Sequence, residues 1–152
     1  MKIDIHNKED ILARLKTLDK DAKPAFGKMT PQHIVEHLAF ALQISTAKSP
    51  QRLHMPEEVA ATIKQKVIYS EAELPESVKN PLLGDEPPPL KFADLQTAID
   101  HLSMELDYFE QYYRENPDVK NMHMRMGELD RKEWNVFHSK HFTHHFKQFN
   151  LV

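Results

Sequence analysis

The chain has 152 residues, no cysteine, 28% charged residues and a formal net charge of −3. That length suits one domain, residues 1–152, with its own core, and the missing thiols exclude disulfides, cysteine nucleophiles and thiolate metal ligands. Basic residues scattered among a surplus of acids make no stripe for phosphates, which argues against nucleic acid, and no run of roughly 18 apolar residues argues for a membrane.

The opening MKIDIHNKED carries no apolar signal core, which sets a cytoplasmic expectation. Asn7 and Asp10 bracket a helix start, and Ile11, Leu12, Leu15 and Leu18 follow at helical spacing over about residues 8–18. Thr30 as N-cap and Pro31 as first helical residue open a second helix, whose face of Ile34, Leu38, Ala41, Leu42 and Ser45 runs to about Lys48. Pro56 before Glu57 and Glu58 starts a shorter accessory helix through Val59, Ile63 and Val67. From Glu71 to Lys91, Pro75, Pro81 and Pro87 to Pro89 remove backbone donors and predict a long ordered crossover loop. Phe92, Leu95, Ile99, Leu102, Leu106, Phe109 and Tyr113 then mark a long core helix that ends before Pro117. Met122, Met124 and Met126 alternate with His123 and Arg125 in a loop expected to pack on the core. Asp130 with Glu133 gives a capping-box start to a last helix reaching about Phe149. With 3 glycines and 10 clustered prolines, the expectation is all-α: an antiparallel four-helix bundle, with a short accessory helix and a Pro-rich crossover between helices 2 and 3.

The last helix carries the clue to function. With Trp134 set to zero, a step of about 100° per residue puts His141 near ~340° and His145 near ~20°, on the apolar stripe. Asn135, Ser139, Thr143, Lys147 and Asn150 fall at roughly 100° to 220°, a side expected to face water. A buried neutral imidazole without a partner costs on the order of 1 to 3 kcal/mol, whereas a divalent metal takes the ring nitrogen as a ligand. The bland alternative is a pair of core histidines bonded to nearby carbonyls. A catalytic site of this type needs about three protein ligands, and the third is sought among His33, His37, His101, His6, His54 and His123. His37 lies at ~240°, on the shoulder of an apolar face centred near ~320°, with His33 further out at ~200°. His101 falls about 120° off its stripe and is expected to be solvated. His138 and His144 flank the pair, and spacing alone permits His138 with His141 as the couple. His33 to His37 also reads H-x-x-E-H, the pattern of inverzincin metalloproteases, but Glu36 projects away from the apolar face and the C-terminal pair would go unused.

With M-T-P-Q-H-I-V-E-H-L on the second helix and E-W-x6-H-x2-H-H-x2-Q-F on the last, nearly the whole chain resembles the DinB-like, or YfiT-like, superfamily of metalloenzymes. Its closest likeness there is a branch of unknown function with an M-T-x-x-Q second-helix start and an H-H-x-x-Q-F ending. The resemblance implies a four-helix bundle holding zinc, nickel or iron through one histidine of helix 2 and an H-x3-H pair of the last helix, here His37, His141 and His145. It assigns His33, His138 and His144 supporting roles, and it implies a homodimer, as is common among similar proteins. The chain departs from the superfamily's frequent H-R-G-Q ending by reading H-F-K-Q at His145 to Gln148.

Three neutral imidazoles would leave the cation's full charge able to lower the pKa of a bound water from about 15.7 toward roughly 7. Two activities follow as expectations: a hydrolase, or a transferase that activates a low-molecular-weight thiol toward a small-molecule substrate. No carboxylate is placed by sequence as a general base. The competing expectation is a non-enzymatic bundle that binds a metal or a small ligand.

Overall fold

A computed structural model describes residues 1–76 and 86–152. In chain order it contains α1 (Lys8–Lys16), α2 (Pro31–Ser45), α3 (Glu57–Val67), α4 (Leu95–Glu115), β1 (Asn121–His123), β2 (Gly127–Leu129) and α5 (Arg131–Lys147). No helix among the described residues is long and apolar enough to cross a membrane.

Four of the five helices start where a side chain takes up orphan backbone donors. Asn7 Oδ1 accepts from the Asp10 amide at 3.1 Å and an Asp94 carboxylate oxygen from the Thr97 amide at 2.8 Å. Thr30 pairs with His33, and Asp130 with Glu133, in reciprocal capping boxes. Each cap is worth on the order of 1 kcal/mol. Starts are better specified than ends: α1 stops at Lys16 and α2 at Ser45, each short of the apolar run that sequence alone extends to Leu18 and Lys48. The long helix begins at Leu95, capped by Asp94, so Phe92 belongs to the connection.

The expected all-α antiparallel four-helix bundle is not what forms. Among the described residues there are five α-helices and a two-stranded antiparallel sheet, a mixed architecture. The sheet is a hairpin in which Asn121 pairs with Leu129, Met122 with Glu128 and His123 with Gly127. Gly127 has φ 81°, a left-handed conformation that glycine adopts without a Cβ penalty. The Met-rich segment, expected to be a loop, thus folds back on itself and buries Met126 and Leu129. Of the Pro-rich crossover, Pro81 and residues 77–85 lie outside the described residues, while the flanks 71–76 and 86–94 contain neither helix nor strand.

The core is shared by α2, α4 and α5. Ile34, Leu38 and Leu42 of α2 join Leu102, Leu106, Phe109 and Tyr113 of α4 and Trp134, Phe142 and Phe146 of α5, all essentially solvent-free. Gln32 and Glu36 tie the end of the crossover to α2. The Glu36 carboxylate accepts from the Lys91 and Phe92 amides at 2.7 and 3.3 Å, and Gln32 Nε2 donates to the Phe92 carbonyl at 2.8 Å.

The side of α5 expected to face water is largely covered. An extended N-terminal segment buries Ile3 and Ile5, and its amides donate to Thr143 Oγ1 at 2.8 Å and Ser139 Oγ at 3.3 Å. Lys140, only 7% exposed, donates to the carbonyls of Val67, Ser70 and Ala72 at 2.7 to 2.8 Å. Side chains that read as solvated are there to satisfy the backbone of neighbouring segments.

Candidate metal centre

Residues four apart on a helix lie one turn apart on one face, so His141 and His145 present their rings together from α5, and α2 brings His37 to the same point. His141 Nε2 lies 3.0 Å from His37 Nε2 and 3.1 Å from His145 Nε2. Ligand atoms of the three residues all lie within 4.8 Å of one another, and among the described residues no other set of three or more histidine, aspartate or glutamate side chains meets in this way. His141 and His145 are buried and His37 partly so. Phe137 stacks on the His141 ring with centroids 4.9 Å apart, closing one side of the site.

This donor set fits a divalent cation. Zinc-to-imidazole bonds of about 2.05 Å at tetrahedral angles put ligand nitrogens about 3.3 Å apart, close to the two short edges observed. Protons satisfy the cluster poorly. One hydrogen on His141 Nε2 can point at only one of its two neighbours, so the other short nitrogen–nitrogen contact is left without a hydrogen bond. A positive ring is no remedy: burial first, and then the charge of His144, pushes the His37 pKa down to about 4. Burial also holds His141 and His145 well below the ordinary histidine range, with His145 adding to the depression at His141 and His37 to that at His145. Neutral imidazoles in a buried junction are the form that metals bind.

The remaining histidines have other duties. His33 caps α2 through Thr30, which removes the H-x-x-E-H reading, since Glu36 is engaged with the crossover backbone. His138 is fully buried, with Nε2 2.9 Å from Ser45 Oγ and its ring stacked on Trp134. His144 meets Phe26 edge-on at 5.4 Å. His101, expected to be solvated, packs against Phe92 with centroids 4.8 Å apart and lies 3.5 Å from the Glu105 carboxylate. His123 packs against Trp134 and Phe137, His6 pairs with Glu110, and His54 is exposed.

Two contributors escaped the sequence reading. Phe137 stacks on His141 from four residues earlier, and that spacing, one helical turn on the same face, was the available signal. Gln148 accepts from His145 Nδ1 across 2.7 Å. Its i+3 spacing from His145 was the available signal.

A family model described as a protein of unknown function (DUF1569) matches residues 1–151. No curated protein and no solved structure matches the chain.

Proposed function

The chain belongs to the DUF1569 family, within the DinB/YfiT-like superfamily, and on that premise we propose that it is a single-domain, metal-dependent enzyme whose ligands are His37, His141 and His145. The single observation that carries this reading is the meeting of three uncharged imidazole nitrogens from two helices at one buried point. The ending His144-His145-Phe146-Lys147-Gln148-Phe149 supports the branch with an H-H-x-x-Q-F terminus. The start of α2, Met29-Thr30-Pro31-Gln32, is one residue shorter than that branch's M-T-x-x-Q pattern.

When bound, zinc, nickel or iron supplies a positive charge that lowers the pKa of an oxygen or sulfur donor on its open side. The chain's own residues set the conditions. Three neutral ligands leave that charge uncompensated, Phe137 excludes water from one flank of His141, and α2 and α5 hold the nitrogens in place through their packing. No Asp or Glu joins the cluster among the described residues, and this reading assigns activation of the nucleophile to the cation. That chemistry suits hydrolysis of a small molecule, or transfer of a low-molecular-weight thiol to an electrophile. The absence of cysteine from the chain is compatible with an external thiol.

The test is a titration of metal-free protein with zinc, nickel and iron, beside a variant carrying both His141→Ala and His145→Ala. The wild type is expected to bind one equivalent and the variant none. Equal binding by both removes the site. Turnover of an ester panel against a thiol-plus-electrophile panel then separates the two activities.

A further inference from the structure

Gln148, 4% exposed, stands between His145 and the loop that precedes α2. Its Nε2 donates to the Phe26 carbonyl at 3.3 Å, and its Oε1 lies 2.7 Å from His145 Nδ1. A peptide carbonyl only accepts, so the amino end of the amide must face Phe26 and the oxygen end must face the histidine. An amide oxygen also only accepts, so His145 Nδ1 must carry the ring proton. Which imidazole nitrogen is protonated follows from the hydrogen bond the other one makes, and Nε2 is left as a lone pair at the junction with His37 and His141.

The loop is braced for this contact. The Ala25 amide donates to the Gln148 carbonyl at 2.7 Å. Gly27, at φ +78°, passes so close that a Cβ there would stand 2.8 Å from Gln148 Nε2. Both the conformation and the approach demand glycine at that place.

We propose that Gln148, oriented by the Phe26 carbonyl, is a positioning residue that locks His145 in the Nδ1-protonated tautomer and so keeps its Nε2 available to a metal ion. The proposal rests on the reading of His37, His141 and His145 as ligands. Hydrogen-bond partners of metal-bound histidines fix the tautomer and ring orientation, and their loss lowers metal affinity by roughly 10-fold to 100-fold.

Long-range proton–nitrogen NMR spectra of metal-free, nitrogen-15-labelled protein read the tautomer, and competition with a chelator reads zinc affinity. The wild type is expected to show His145 protonated at Nδ1. Gln148→Leu is expected to lose that single tautomer and about 10-fold to 100-fold in zinc affinity. Gln148→Glu, which keeps an acceptor for His145 Nδ1 but loses the donor to Phe26, is expected to retain the Nδ1 tautomer and more of the zinc affinity than Gln148→Leu. A proton on Nε2 in the wild type overturns the proposal. So does a Gln148→Leu protein that loses affinity with its tautomer unchanged, since that is the mark of a structural role, or one that changes in neither. If the wild type shows the Nδ1 proton but binds zinc no better than the His141→Ala, His145→Ala variant, the ligand assignment fails while the control of the ring by Gln148 stands.

Discussion

Replacing His138 with glutamine is expected to make the fold less sensitive to acid. In the native chain the Ser45 hydroxyl donates to the Leu42 carbonyl at 2.7 Å, so its oxygen accepts from His138 Nε2–H. The other ring nitrogen, Nδ1, is then a buried lone pair with no hydrogen-bond partner among the described residues. Protonating it would place a charge where nothing accepts, and burial first, then the charge of His123, pushes the pKa from 6.5 down to about 3. A depressed histidine pKa means that below about 6.5 the unfolded chain takes up a proton that the folded chain refuses. Stability is therefore fully present above pH 6.5 and drains away as the pH falls toward 3. Between pH 7 and pH 5 the ratio of unfolded-state proton binding amounts to about 2 kcal/mol for this one ring. Glutamine keeps an N–H able to reach Ser45 and does not titrate. Urea unfolding of both proteins at pH 7 and pH 5, in a chelator so that the three-histidine cluster is treated alike, gives two stability losses. The loss in the variant should be smaller by about 2 kcal/mol, whatever constant offset the substitution introduces. An identical loss in both proteins would show that His138 is not held neutral by its surroundings.

A cation on the three-histidine cluster stabilises only the folded chain. At a free concentration 100 times the dissociation constant, zinc should therefore add about 2.7 kcal/mol and raise Tm by roughly 5 to 10 °C. A chelator should reverse the rise and His37→Ala should abolish it; an equal rise in the variant places the ion elsewhere. Lys140→Met removes the donor that serves three carbonyls at and beyond the end of α3 and should cost about 2 to 3 kcal/mol in urea unfolding. Unchanged stability would mean that water replaces the ammonium without loss. Gly127→Ala meets no atom within 4 Å, so its cost is backbone strain alone, about 1 to 2 kcal/mol; a neutral effect would show that the hairpin turn relaxes.

Three helix starts were legible because each depends on a few adjacent residues: an oxygen at Asn7, Thr30 or Asp130 finds the amide three residues on, whereas the Asp94 cap of α4 was hidden because Phe92 continues the apolar period of that helix. The pairing of β1 with β2 was not, because three-residue strands carry too short an alternation to be distinguished from an extended loop, and the deciding feature is the backbone angle of Gly127. Helical angles located His141 and His145 correctly, since both lie on the side of α5 that meets α2. They misjudged Ser139 and Thr143 because a helical wheel sees one partner. Here α5 has several, and it meets the polar ones, the strap at Ile3 to Ile5 and the end of α3, with hydrogen bonds rather than hydrocarbon.

That enclosure bears on the metal site. A helix packed on one side only would let the rings of His141 and His145 swing toward water, where each imidazole could be solvated and no cation would be needed to relieve the crowding of nitrogens. With the strap fastened at Thr143, Lys140 anchored to three carbonyls and Gln148 fastened to Phe26, α5 has little freedom to rotate about its axis. The cost of bringing three lone-pair donors together is then met during folding by hydrogen bonds and packing around α5. A cation would bind to nitrogens already gathered, which is the physical meaning of preorganisation.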